Sequence, residues 1–145
     1  MRKFGVAIFP DEKTAFNGSR ALKELREGSA TVYASVVIVK HSNGNISELD
    51  RSGKGSHATA TAAFIGGLAG LPAGPLAVAM GAAGGALIGL SAELTDRGVD
   101  ARFLTKISHE LAPDKAAIVA DLEDDGLPSF DARMKACGGT VIFQD

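Results

Sequence analysis

Residues 55–92 read GSHATATAAFIGGLAGLPAGPLAVAMGAAGGALIGLSA, a run of 38 residues with no Asp, Glu, Lys, Arg, Asn or Gln. Nine of the chain's 18 glycines and twelve alanines fall inside it. The sequence on either side reads as a small α+β domain that this block interrupts. Pro72 and Pro75, with Gly74 between them, do not fit one continuous helix and mark a turn. The block thus divides into two helical arms, His57 to Leu71 and Pro75 to Leu94. Pro75 suits the first position of the second helix, where a missing N–H costs nothing.

Each arm carries a ladder of small residues. The first is Ala58, Ala62, Gly66 and Gly70, and the second is Ala77, Gly81, Gly85 and Gly89. A step of four keeps each ladder on one helix face. The bulky residues lie opposite: Phe64, Leu68 and Leu71 in the first arm, and Leu76, Met80, Leu87, Leu90 and Leu94 in the second. This pattern predicts a glycine-zipper hairpin whose slender faces meet a neighbouring backbone while the bulky faces point outward. Glycine costs an exposed helix about 1 kcal/mol relative to alanine, so the ladders call for a packing reason. Lipid supplies one, because small residues every fourth position let helices approach while apolar side chains face acyl chains. A membrane span needs about 20 apolar residues. The second arm just reaches that length and the first falls short. The patterning favours a hairpin that self-associates and binds a membrane. The alternative is a soluble homo-oligomeric ligand-binding or sensor domain in which the hairpin is an intersubunit clasp and other subunits cover the outward leucines.

Around the block, alternation and caps predict the sheet domain. Lys3 to Phe9 reads as a strand with Phe4, Val6 and Ile8 on one face and Gly5, Ala7 and Phe9 on the other. Asp11 caps a helix that runs to Arg26, with Phe16, Leu22 and Leu25 as its apolar stripe, Gly18 as a weak point and Gly28 as its close. The run ATVYASVVIVK at 30–40 is the strongest strand signal and suits a strand covered on both faces. Asn43-Gly44 signals a hairpin turn into a polar edge strand, Asn45 to Arg51. Ser52 to Ser56 reads as a flexible lead. After the block come a helix from Ala101 to Leu111, a strand from Ala116 to Leu122, a helix from Pro128 to Ala136 and a last strand, Thr140 to Phe143. The order βαββ-αβαβ predicts a ferredoxin-like sheet with helices on one face, built from residues 1–54 and 96–145 with 55–95 inserted.

Composition narrows the function. The chain has 145 residues, a net charge of −2 and one cysteine. There is no basic surface for nucleic acid, no internal disulfide and no cysteine cluster for a metal. The N-terminus lacks a signal-peptide pattern, which predicts a cytoplasmic domain. If the hairpin inserts, Arg51, Lys54, Arg97 and Arg102 hold both its ends at the cytoplasmic face of the inner membrane.

The segments DEKTAFNGSRALKEL, SVVIVKHSNGNISE, LTDRGVDARFLTKISHEL and KACGGTVIF, with the glycine hairpin and its Pro-x-Gly-Pro centre, resemble a bacterial family of unknown function, number 1269. The resemblance implies this architecture and the label of a predicted membrane protein, sometimes associated with stress response. It implies no activity. Cys137 stands where the family usually has an apolar residue, which implies a buried structural thiol.

No catalytic constellation appears, and the reading is of a non-enzymatic protein without a cofactor. Cys137 lies at a helix C-terminus, whereas reactive thiolates favour N-termini or cations. His41, His57 and His109 lack metal-ligand spacing. His57 is the most informative of them, because it opens the first glycine helix. Ser52-Gly53-Lys54-Gly55-Ser56 lacks the Walker pattern and reads as a hinge rather than an anion cradle. Asp121, Glu123, Asp124 and Asp125 read as a solvated turn rather than a calcium loop.

Overall fold

The computed structural model describes residues 2–28, 32–43, 45–53, 55–70 and 101–144. Among them the elements are β1 (Arg2–Phe9), α1 (Glu12–Glu27), β2 (Val32–Lys40), β3 (Ile46–Gly53), α2 (Gly55–Gly70), α3 (Ala101–Glu110), β4 (Ala116–Glu123), a short 3-10 turn (Asp124–Gly126), α4 (Leu127–Ala136) and β5 (Thr140–Phe143). The five strands form one antiparallel sheet in the order β3-β2-β4-β1-β5. β1 and β2 flank β4 and are joined through α1, while β4 and β5 flank β1 and are joined through α4. Two split β-α-β units therefore interlock, and β3 is added at the edge beside β2.

Alternation along the strands sorts side chains between two layers. Phe4, Val6 and Ile8 of β1 enter one apolar cluster, and Ala7 and Phe9 enter the other. β2 is buried from Ala34 to Val39 because helices cover both of its sides. On one face lie α1 and α4, through Ala15, Leu22, Phe130 and Met134. On the other lie α2 and α3, through Phe64, Leu68, Phe103, Leu104 and Ile107. The expectation of helices on a single face is thus corrected. The second face carries Phe4, Val6, Ile8, Val36, Ile38 and Val119, too much apolar surface to leave wet, and the first arm of the glycine block covers it.

Local chemistry explains the element ends. The Asp11 carboxylate accepts from the Thr14 backbone N–H at 2.8 Å and caps α1. That bond, with a second from the Thr14 hydroxyl, holds the Asp11 carboxyl below its ordinary range. At the other end the Gly28 N–H donates to the carbonyls of Glu24 and Leu25. The expected apolar stripe of α1 holds at Leu22 and Leu25 and fails at Phe16. Phe16 is exposed, and Ala15, Gly18, Ser19 and Leu22 face the sheet. Gly18 is a contact rather than a weak point: a Cβ there would sit 2.6 Å from the tip of the buried Phe9 ring. The expected hinge at Ser52–Ser56 is narrowed to Lys54, which lies outside the described residues, since β3 ends at Gly53 and α2 starts at Gly55. Gly53 takes φ +125°, and a Cβ there would lie 2.5 Å from the Ala34 Cβ, so only glycine fits this close strand end.

Phe64 joins three elements at once. Its ring lies 5.1 Å from Phe4 of β1 and 5.8 Å from Phe103 of α3, centroid to centroid, and it is fully buried. Replacing it with alanine removes a full ring from a closed core, which costs about 3–5 kcal/mol. The expected result for Phe64→Ala is a loss of that size in urea unfolding of the full chain. A loss below about 1 kcal/mol contradicts this docking of α2.

Candidate functional site

The candidate site is α2 and the seam that binds it to the sheet. The helix has a buried side and a more exposed one. Ala60, Thr61, Phe64, Ile65 and Leu68 are buried. The spacing of 60, 61, 64, 65 and 68 is one apolar helix face, and α2 lays it on β2, β3 and β4 and against α3. The buried Thr61 hydroxyl donates to the Ala58 carbonyl at 2.9 Å, so its burial leaves no donor unmet. On the other side, Ala58 and Ala62 are half-buried and Gly66 is exposed. Among the described residues, a Cβ built at Gly66 meets nothing within 4 Å.

The outward apolar face expected in the first arm is therefore reversed at Phe64 and Leu68, which turn inward onto the chain's own sheet. Gly66 is separated from Phe64 and Leu68, the one exposed and the other two buried. The direction differs because the sheet, not a lipid phase, takes the bulky side. Of the small ladder, Ala58, Ala62 and Gly66 stand on the side away from the core. Leu71, Leu76, Ala77, Met80, Gly81, Gly85, Leu87, Gly89 and Leu90 lie outside the described residues, as does the expected turn at Pro72–Pro75. Gly70 ends α2.

A polar joint fastens the first turn of α2. His57 Nδ1 lies 3.0 Å from Asp121 Oδ2. The Asp121 side chain is completely buried, while that of His57 is 31% exposed. The imidazole stacks on Tyr33 at 4.2 Å with 7° between the planes. The Tyr33 hydroxyl donates to Glu123 Oε2 at 2.7 Å. Strand geometry assembles this group. Alternation puts Asp121 and Glu123 on the same side of β4 as Ala117 and Val119, which is the side α2 covers. The β2–β4 pairing runs Val32 to Leu122 and then Ala34 to Asp121, so a bulge falls at Tyr33. A bulge re-aims its side chain, here toward His57. The expected solvated turn holds for Asp124 and Asp125, which are exposed, and fails for Asp121. A buried carboxylate needs a partner, and His57, 64 residues away in sequence, is one. No spacing rule could have paired them.

The other histidines stand apart. His41 bonds the Ser47 hydroxyl at 2.7 Å and His109 is exposed at the end of α3. Among the described residues no group of His, Cys, Asp and Glu could hold a metal ion. Cys137 caps the C-terminus of α4, half-buried against the α1–α4 cluster. Among the described residues no helix is long and apolar enough to cross a membrane.

With this geometry the family is plain. The family model described as "Protein of unknown function (DUF1269)" matches residues 59–145, more than half of the chain, and the chain belongs to that family. The match starts inside α2 and takes in α3, β4, α4 and β5. No curated protein and no solved structure matches.

Tyr33 reports on the joint. Its hydrogen bond to Glu123, then burial, then the charges of Glu123, Asp121 and Asp125 push the phenol above its ordinary value of 10.0. The stabilisation is fully present below that ordinary value and is lost as pH rises through the raised one. Tyr33 is the only tyrosine and there is no tryptophan, so phenolate absorbance follows this group alone. The folded full chain is expected to titrate above the ordinary value and to fall toward it in Glu123→Gln, with burial and the charges of Asp121 and Asp125 keeping part of the rise. A midpoint at or below the ordinary value in the native chain contradicts the joint.

Proposed function

We propose that this is a non-enzymatic, self-associating protein, and that the outer face of α2, with Ala58, Ala62 and Gly66, is a surface on which another helix packs. One observation carries the reading. Gly66 is exposed on a helix whose bulky side chains are already spent on the sheet, and among the described residues no atom stands within 4 Å of its Cβ direction. A glycine there weakens the helix by about 1 kcal/mol relative to alanine. Close approach of a second backbone offsets that cost. The interlocked split β-α-β units support reading the sheet as ferredoxin-like, with β3 as an added edge strand. His57 and Asp121 then serve as a structural joint rather than an acid–base pair, since the imidazole is held by Asp121 and Tyr33 together.

The favoured assembly is a homo-oligomer in which the glycine block clasps neighbouring subunits. Membrane association is the second reading. It is favoured by the absence of charge throughout residues 55–92. Because the bulky face of α2 is committed to the sheet, lipid contact falls to residues 71–92, with the sheet domain at the cytoplasmic face of the inner membrane.

Mass measurement of the purified full chain without detergent tests the proposal. The expected result is a discrete oligomer that Gly66→Leu shifts toward monomer while the circular dichroism spectrum is kept. A monomeric native chain, or an oligomer indifferent to Gly66→Leu and Ala62→Leu, overturns it. Recovery of the native chain in the membrane fraction favours the second reading.

A further inference from the structure

On the sheet face away from α2, the last turns of α1 and the strands β2 and β3 enclose a cleft. Leu22 and Val37 give it an apolar wall, and Ser19 also lines it. Lys23, Arg26 and Arg51 border it with Asp50, and Arg51 is already paired with Glu48. Arg26 is the centre of the group. Its Nη2 donates to Ser35 Oγ at 3.1 Å and its Nη1 to Ser52 Oγ. Its Nε is sealed from solvent and has no acceptor among the described residues. No carboxylate among the described residues pairs with it: Glu48 takes Arg51, and Asp50 lies 3.9 Å from Lys23.

A half-buried guanidinium bonded only to neutral hydroxyls keeps its charge without the counter-ion that normally offsets its desolvation. The two serines accept from Arg26, so each retains its own hydroxyl proton as a donor. Ser35 is itself buried, which makes the donor fixed rather than a loose surface group. Cations, hydroxyl donors and an uncompensated guanidinium together define a receptor for an oxyanion. The C-terminal end of α1 opposes an anion by about half a charge, and Lys23 and Arg26 on that same helix outweigh it.

We propose that this cleft binds a phosphoryl group, held by Arg26 and Lys23 with the hydroxyls of Ser35 and Ser52. The site lies on the opposite side of the sheet from the α2 surface and stands independently of self-association. Its chemistry is shared by free phosphate, a soluble phosphate monoester and a phosphate-bearing lipid headgroup.

The test is an amide NMR titration of the full chain at constant ionic strength. Inorganic phosphate is added first, then glycerol phosphate, with chloride as the reference salt. Saturable shifts at Lys23, Arg26, Ser35 and Ser52 are expected, with binding at least tenfold weaker in Arg26→Gln and in Ser52→Ala. Arg133→Gln, which removes a partner of Glu24 outside the cleft, is expected to bind as the native chain does. Vesicles of phosphatidic acid in phosphatidylcholine, compared with phosphatidylcholine alone, separate a headgroup from a soluble ligand. The absence of saturable shifts, or equal shifts with chloride, overturns the proposal. So does native affinity in Ser52→Ala with a native spectrum, a result that would leave Arg26 as a tie between α1 and the sheet. If Arg26→Gln fails to fold, Ser52→Ala decides alone.

Discussion

The contact of Phe64 with Phe4 and Phe103 is the constraint on which the rest of this structure depends. It fixes which way round α2 lies. Once the ring is buried between β1 and α3, Leu68 follows one turn later into the same cluster and Gly66 must face away. Full burial of two such side chains is worth roughly 3–6 kcal/mol in total. That is large beside the roughly 1 kcal/mol that an exposed glycine costs the helix. The preference for the sheet therefore sets the orientation, and the smooth outer face is its consequence.

The polar joint at the start of α2 complements this apolar contact. Burial of Phe64 and Leu68 favours docking but is non-directional. Hydrogen bonds are directional, and the pair His57–Asp121 ties the first turn to one residue of a central strand. Stacking on Tyr33 and the bond from Tyr33 to Glu123 extend the tie into β2 and β4. The helix is thus held at its head by polar groups and along its length by apolar ones.

Much of the fold was legible in local chemistry. Asp11 as a cap, Gly28 as a helix end, the two faces of β1 and the apolar spacing of Phe103, Leu104, Ile107 and Leu111 follow from alternation and capping, and the structure bears them out. What the sequence did not determine was direction across space. The size asymmetry of α2 was visible, yet whether Phe64 met lipid, another subunit or the chain's own sheet depended on how much of the second sheet face lay bare. That quantity needs the strand order. Asp121 was hidden for a related reason. Its acidic neighbours give it the look of a turn, although alternation in the strand places it beside Val119 and Ala117 on a covered face. Phe16 misled in the opposite sense, because the smaller Ala15, Gly18 and Ser19 let α1 sit closer to the sheet than an aromatic residue would.

The most direct measurement is the set of NOE contacts of the Phe64 ring in the full chain carrying labelled phenylalanine, recorded in a membrane-mimetic solution. Contacts from Phe64 to Phe4 and Phe103 are the predicted result. Contacts from Phe64 to acyl chains, with none to Phe4, would contradict the account and return the bulky side of the helix to the membrane.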